Sequence, residues 1–272
     1  MNQAEAFRLF RELHRRPGAF VMPNAWDGTS AVLLKRAGFE ALGSSSLAIA
    51  FALGRRDCAH AVGLQEAVAN ASLIGRLSGL PVNGDLEDGF GPDPEDCART
   101  VEAAIVGGLA GLGIEDTTAD PASPIHDFDH AVRRVRRAAV VARGRILLTA
   151  RTDNFLHGRP DLADTIRRLA AFAEAGADVL YAPGLPDLDA VRAVARAVTP
   201  KPINIVVGAA TKGASVAALG EAGVKRISLG GALYRRVMTE LDAVAAEIRQ
   251  GRLDRAADAI PSREIAALLP DP

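Results

Sequence analysis

Ala173-Glu174-Ala175-Gly176-Ala177-Asp178-Val179-Leu180-Tyr181 states the architecture of this chain in one phrase. A helix-like run closes on a glycine, and a short apolar strand begins at once. Glycine just past a helix end supplies a left-handed cap, which lets the next strand start without a long loop. The phrase recurs as Leu34-Lys-Arg-Ala-Gly38 before Phe39-Glu-Ala-Leu-Gly43, and as Ile105-Val-Gly-Gly108 before Leu109-Ala-Gly-Leu-Gly-Ile114. It returns as Gly220-Glu-Ala-Gly223 before Val224-Lys-Arg-Ile-Ser-Leu229. Strands that are apolar on both faces and alternate with helices imply a parallel sheet covered by helices.

Read outward from there, the chain offers strands at Phe20–Pro23, Ala41–Ser45, Val82–Asp85, Gly111–Glu115, Ile146–Ala150, Val179–Ala182, Ile203–Val206 and Arg226–Leu229. The helices expected after them are Asp27–Ala37, Leu64–Ser78, Pro94–Val106, Phe128–Arg143, Leu162–Ala175, Leu188–Val198, Lys212–Glu221 and Ala232–Arg249. Eight such units in 272 residues predict an α/β fold of the (β/α)8 TIM-barrel type. An open doubly wound sheet is the weaker alternative. Gly108-Leu-Ala-Gly-Leu-Gly113 has the wrong spacing for a dinucleotide fingerprint and precedes a strand rather than a helix. With no internal linker visible, residues 1–250 are expected to form one barrel domain. Residues 251–272 are expected to be a helical tail packed on the barrel or on a neighbouring subunit.

Composition narrows the function. The formal charge is −1, from 32 basic and 33 acidic residues, so no global field favours nucleic acid or an anionic membrane. The basic run Arg133-Arg134-Val135-Arg136-Arg137 reads as a solvated helix face. The two cysteines, Cys58 and Cys97, have neither metal-ligand nor redox spacing. The start Met-Asn-Gln-Ala-Glu is not a signal peptide, and no apolar stretch approaches membrane-spanning length. The expectation is a soluble cytoplasmic protein.

Polar residues collect at the carboxyl ends of the expected strands, where barrels build their sites. Pro81-Val-Asn-Gly-Asp-Leu-Glu-Asp-Gly-Phe-Gly91 runs from an apolar entry into Asp85, Glu87 and Asp88. Alternate strand residues share a face, so Asp85 and Glu87 should project together. Leu112-Gly-Ile-Glu-Asp116 repeats the arrangement with Glu115 and Asp116. Carboxylates held this close repel unless a proton or cation lies between them. Oxygen donors without His or Cys favour a hard divalent ion, Mg²⁺ first. Arg151, in Arg151-Thr-Asp153, suits bidentate capture of a carboxylate or phosphate. The Ser45–Leu47 turn offers hydroxyl and backbone donors to an anionic oxygen, and Asn204 lies on the seventh strand. A cation, an arginine and amide donors around one small anion suit a 2-oxo acid whose enolate needs support.

These residues resemble the isocitrate lyase and phosphoenolpyruvate mutase superfamily. The matching motifs are Pro23-Asn-Ala-Trp-Asp27, Gly43-Ser-Ser-Ser-Leu47, Leu53-Gly-Arg-Arg-Asp57, Gly84-Asp-Leu-Glu-Asp-Gly-Phe-Gly91, Ile114-Glu-Asp116 and Ala150-Arg-Thr-Asp153, in family order over most of residues 20–250. The resemblance implies a (β/α)8 barrel, Mg²⁺ or Mn²⁺, and 2-oxo acid chemistry through an enolpyruvate-like intermediate. It also implies a homotetramer, a dimer of dimers in which the last barrel helix is exchanged between paired subunits. By position, Asp85 resembles the direct metal ligand, and Asp57, Glu87 and Glu115 resemble carboxylates acting through water. Ser45, Ser46 and Leu47 resemble the turn that holds the carboxylate and oxo group. Arg151 resembles the substrate-binding arginine, and Asn204 an asparagine placed against the substrate's outer end.

Two departures stand out. The common D-x-D reads Asp85-Leu-Glu87, one methylene longer. The loop after strand four reads Asp116-Thr-Thr-Ala-Asp-Pro-Ala-Ser-Pro-Ile-His126, without the Lys-Cys-Gly-His segment whose Cys is the acid of the family lyases. Nor does it match the Lys/Asn-bearing loop of the phosphonate enzymes. The expectation is therefore a 2-methylisocitrate lyase-like protein without the usual Cys loop: a Mg²⁺-dependent carbon–carbon lyase or decarboxylase of a small 2-oxo or 2-hydroxy di- or tricarboxylic acid. Arg151, Ser45 and Glu115 are its expected catalytic residues. The alternatives are a phosphonopyruvate-type C–P hydrolase or mutase, and a 2-oxo acid binding protein without turnover.

Remaining candidates have plainer readings. His126-Asp-Phe-Asp-His130 could be a zinc pair or a replacement acid, but reads first as a helix start capped by Asp127 or Asp129. Cys58, beside Asp57 on the loop after strand two, could approach the site from there, but reads first as a small apolar filler. Gly208 and Gly230-Gly231 follow strands seven and eight, where many barrels bind phosphate, though tight turns explain them as well.

Overall fold

The protein is described by a computed structural model that covers residues 1–270. Eight parallel strands run as β1 (Phe20–Met22), β2 (Leu42–Gly43), β3 (Val82–Asp85), β4 (Gly111–Glu115), β5 (Leu147–Arg151), β6 (Val179–Tyr181), β7 (Ile203–Val206) and β8 (Val224–Ser228). Each strand pairs with its neighbour in sequence except at one seam, and β1 pairs with β8. At the seam, Asn24 bridges Gly43, with Ala25 N–H donating to the Gly43 carbonyl at 2.8 Å and Gly43 N–H to that of Pro23 at 2.9 Å. The ring is a (β/α)8 barrel, as the helix–glycine–strand phrase implied.

Among the described residues twelve helices accompany the strands: α1 (Gln3–Arg15), α2 (Gly28–Arg36), α3 (Ser46–Ala52), α4 (Leu64–Ser78), α5 (Pro94–Val106), α6 (Phe128–Ala142), α7 (Leu162–Ala175), α8 (Leu188–Val198), α9 (Val216–Glu221), α10 (Ala232–Arg249), α11 (Asp254–Ala257) and α12 (Ser262–Ala266). Local chemistry sets many of the starts. Asp27, Asp127, Asp161, Asp187 and Ser215 each accept the backbone N–H three residues on, satisfying a donor that a helix start leaves orphaned. Gly176 sits at φ +112°, the left-handed cap expected of it.

Differences from expectation have local causes. The second strand is only Leu42–Gly43, because Ser45 already caps α3 through its hydroxyl. The helix expected from Lys212 begins at Val216, because Thr211 closes a 3-10 turn back onto Gly208 before Ser215 restarts the chain. Among the described residues the tail holds two short helices, and Arg255 ties it to α10 through Glu240 at 2.8 Å and Glu247 at 3.0 Å.

Helix α1 lies outside the eight repeated units and closes the amino-terminal end of the barrel. Ala6, Phe10 and Leu13 join Met22, Ala41, Ala110 and Leu147 in a second apolar cluster beneath the main core. Gly111 makes room for it: a Cβ there would lie 2.7 Å from Phe10 Cε1. At the other end of the chain, α10 buries only Tyr234, leaving Val237, Met238, Leu241 and Ile248 exposed. Among the described residues no helix is long and apolar enough to cross a membrane.

Candidate active site

The strand ends open into a cavity of about 400 Å³. Ser45, Ser46, Leu47, Asp57, Asp85, Glu87, Glu115 and Arg151 all line it, so one space gathers residues from four strand ends and the loop after α3. Asn204 is different. It lines a smaller cavity of about 70 Å³ inside the barrel, where it accepts from Arg226 Nε and donates to Ser228 Oγ. Asn204 therefore stands beneath the main cavity, in a space bordered also by Asp85, Glu115 and Arg151.

Asp85 is the last residue of β3, and its side chain is held on one oxygen. Oδ2 accepts both the Ser46 backbone N–H at 2.8 Å and the Ser46 hydroxyl at 2.9 Å. Its own N–H donates to Ser44 Oγ at 2.9 Å, which locks β3 to the end of β2. The Ser45 hydroxyl accepts the Ala48 N–H at 3.3 Å and keeps its proton free to donate. Ser46 is thereby committed to Asp85, while Ser45 and Leu47 remain for an incoming anion.

Glu87 stands in a left-handed turn at φ +47°, and its carboxylate accepts the His60 backbone N–H at 2.7 Å. Burial raises its pKa to about 7; the His60 N–H resists this, and Asp85 adds to it. The buried Asp88 accepts from the His60 ring at 2.7 Å and caps the turn through the Phe90 N–H at 2.8 Å. Asp57 sits at the exposed rim, on the loop after α3. Partial desolvation and then Asp85 hold its carboxyl above the ordinary range.

Arg151 is shared by two carboxylates. Nε and Nη2 meet Asp153 at 2.5 and 2.6 Å, and Nη1 meets Glu115 Oε1 at 2.7 Å. One N–H on each Nη stays free for a substrate carboxylate, fewer than the open fork expected. Burial opposes the charge on Arg151, but Asp153 and Glu115 outweigh it and hold the guanidinium well above its usual range. Glu115 is pushed up by burial; Arg151 counters that, and Asp153 and Asp85 reinforce it. Two carboxylates on one guanidinium, with Asp85 nearby, leave surplus negative charge.

That surplus fits a hard cation. The donors are all oxygens, and Asp57, Glu87 and Glu115 are each raised with Asp85 among the causes. Among the described residues no three Asp, Glu, His or Cys side chains close into a complete cage. An ion that takes one direct carboxylate and several waters, the habit of Mg²⁺, does not require such a cage.

Several features lay beyond the sequence reading. Thr117, Thr118, His157 and Tyr181 also line the cavity. Tyr181 lies under Arg151, with the guanidinium carbon 5.2 Å from its ring centre, and burial raises its phenol to about 12. The loop after β4 folds on itself, with Thr118 N–H donating to the Pro124 carbonyl at 2.8 Å. Asp116 turns away from the cavity, 2% exposed, and pairs with Arg168 at 3.1 Å while accepting the Asp153 N–H at 3.0 Å. Cys58 is exposed at the mouth instead of filling the core. Asp127 caps α6 as expected, and His130 is engaged by the Pro92 carbonyl and Arg133, which leaves no zinc pair.

Comparison with known proteins agrees with this fold. The family model for phosphoenolpyruvate phosphomutase matches residues 10–249. A solved chain from Burkholderia cenocepacia J2315, provisionally named a lyase/mutase, superposes with a TM-score of 0.93 at 43% identity, covering 97% of this chain and 95% of that one. The 2-methylisocitrate lyase of Aeropyrum pernix is 29% identical over 89% of this chain and 79% of its own length. The oxaloacetate decarboxylase of Paraburkholderia xenovorans is 32% identical over 70% of this chain and 65% of its own.

Proposed function

The chain belongs to the phosphoenolpyruvate phosphomutase family, and on that premise we propose that it is a divalent-cation-dependent carbon–carbon lyase or decarboxylase of a small 2-oxo or 2-hydroxy diacid. The observation that carries this reading is the convergence of Asp57, Asp85, Glu87 and Glu115 with Arg151 in one cavity. Asp85 would hold Mg²⁺ or Mn²⁺ directly, and Asp57, Glu87 and Glu115 through water. When bound, the ion supplies Lewis acidity that draws electrons from the 2-oxo group and offsets negative charge as the carbon–carbon bond breaks.

The chain's own groups do the rest. Arg151 anchors a substrate carboxylate with its two free N–H groups. The Ser45 hydroxyl and the Leu47 N–H, in the first turn of α3, receive the oxygen on which charge develops. Glu115, 2.7 Å from Arg151 in the same cavity, orients the guanidinium and is the carboxylate placed to exchange a proton beside it. Thr117 and Thr118 stand where the family's acid loop would begin, so they position substrate and cannot serve as its acid. Relatives named for 2-methylisocitrate and for oxaloacetate support the substrate class.

The test is a panel of oxaloacetate, 2-methylisocitrate, 2,3-dimethylmalate and phosphonopyruvate with Mg²⁺, followed by coupled pyruvate assay and phosphorus NMR. Saturable, EDTA-sensitive release of pyruvate or another 2-oxo acid from one of the di- or tricarboxylic acids is expected. Turnover of phosphonopyruvate alone, or of nothing, counts against the proposal.

A further inference from the structure

A second buried arginine takes no part in the chemistry above. Arg226, on β8, is 1% exposed inside the barrel. Its Nε donates to Asn204 Oδ1 at 2.8 Å and its Nη2 to Thr149 Oγ1 at 2.9 Å, while Nη1 makes longer contacts to His14 Nε2 at 3.4 Å and Asn83 Oδ1 at 3.5 Å. The Phe10 ring of the barrel plug lies 5.8 Å away. All of these partners are neutral. His14 is no exception: its Nδ1 is 2.8 Å from the Phe10 carbonyl, so the proton sits there and Nε2 offers Arg226 a lone pair.

A guanidinium stays charged, and a buried charge without a counter-charge is costly. Two of the other buried arginines avoid that cost, and the third lessens it. Arg151 and Arg168 have carboxylates, and Arg134 gives its donors to the carbonyls of Asp88, Gly91 and Asp93. Arg226 has no Asp or Glu in ion-pair range among the described residues, and unlike Arg134 it borders a cavity. That cavity, about 70 Å³, is shared at its upper end with Asp85, Glu115 and Arg151 of the site. One water needs roughly 10–15 Å³ on the same measure, so a small anion fits.

We infer that Arg226, held in plane by Asn204 and Thr149, is an anion-binding site that takes one carboxylate-sized oxyanion inside the barrel, beneath the acidic cluster. The carboxylate arrives either as a free small acid such as formate or as the far carboxyl of a bound diacid. Only the second source rests on the function proposed above.

The test is thermal unfolding of the full chain in a zwitterionic buffer with added sodium formate. The control is the sodium salt of a bulky sulfonate at equal ionic strength, too large for the cavity. Formate at saturation should raise the midpoint by about 5 °C, the rise should vanish in Arg226→Met and it should survive in Arg151→Lys. A rise kept by Arg226→Met, or none in the wild type, overturns the inference. If Arg226→Met does not fold, a wild-type crystal grown in formate decides: a carboxylate against Arg226 supports the site, and water alone there refutes it. Malonate that blocks the formate effect identifies the far carboxyl of a diacid as the occupant; additive effects identify a free acid. Formate binding without any 2-oxo acid turnover defeats the proposed function alone, and turnover without the formate effect defeats this inference alone.

Discussion

Ser46 gives both its backbone N–H and its hydroxyl to one oxygen of Asp85, at 2.8 and 2.9 Å. Two donors on Oδ2 fix the plane of the carboxylate and direct cation binding to Oδ1. In Ser46→Ala the N–H remains and the hydroxyl is lost. Removing a partner that orients a metal ligand typically weakens metal affinity about 10-fold or more, so Mg²⁺ affinity by calorimetry should fall by about that factor. Stability should fall by only about 1 kcal/mol, the net worth of one hydrogen bond. An unchanged affinity would remove Asp85 from the ion's contacts.

Arg168 supports the site from behind. It joins Asp116 at 3.1 Å and Asp164 at 2.7 Å, and Asp116 in turn accepts the Asp153 N–H. Asp153 grips Arg151, so the relay runs from α7 to the arginine proposed to hold the substrate. Arg168→Met strands a buried Asp116 and should cost about 3 kcal/mol in urea unfolding, with lowered turnover. Arg168→Lys should recover part of both. A fully stable Arg168→Met would show the relay to be dispensable.

His14 makes part of the stability depend on pH. Burial, then Arg226, lower its pKa from 6.5 to about 3. Between those values the unfolded chain binds the proton and the folded chain does not, so stability from this group is complete above 6.5 and declines as pH falls. Glu87, raised to about 7 by burial, acts in the opposite sense and is relieved by acid. The difference between wild type and His14→Phe isolates the histidine. Wild type should lose stability relative to the variant below pH 6.5, by at most about 1.4 kcal/mol per pH unit. Denaturant midpoints from pH 7 to 4 measure it, and parallel curves would deny the burial of a neutral ring.

The barrel was legible in the sequence because each unit announces itself locally through a cap, an apolar run and a glycine. Gly176 and the aspartate caps show this most directly. The acidic cluster was legible for a related reason: Asp85 and Glu115 end their strands, and strand ends face the site. Depth and long-range pairing were not. Asn204 is the second residue of β7, which puts it below the rim, a fact set by the stagger of strands around the barrel. Asp116 and Arg168 are 52 residues apart and carry no joint signal. The plug helix α1 shows only Ala6, Phe10 and Leu13 buried, and its purpose depends on a glycine at position 111.

The outer face of α10 predicts assembly. Leu241 is 60% exposed and Met238 36%, on a helix that buries one residue against its own barrel. A contiguous apolar face of this kind marks an interaction surface, and a second copy of the chain matches the family expectation of exchanged helices. Light scattering should give a multiple of 28.4 kDa, four copies in the full assembly. Leu241→Glu should shift it toward the monomer. A monomeric wild type would refute the exchange.

The most direct measurement is Mn²⁺ binding followed by electron paramagnetic resonance, with and without oxalate, in wild type and Asp85→Ala. Wild type should bind one ion per chain, more tightly with oxalate present, while Asp85→Ala keeps its circular dichroism spectrum and loses the bound ion. Equal binding by the two proteins, or none by the wild type, would contradict the claim that Asp85 and its acidic neighbours hold a cation for a keto acid.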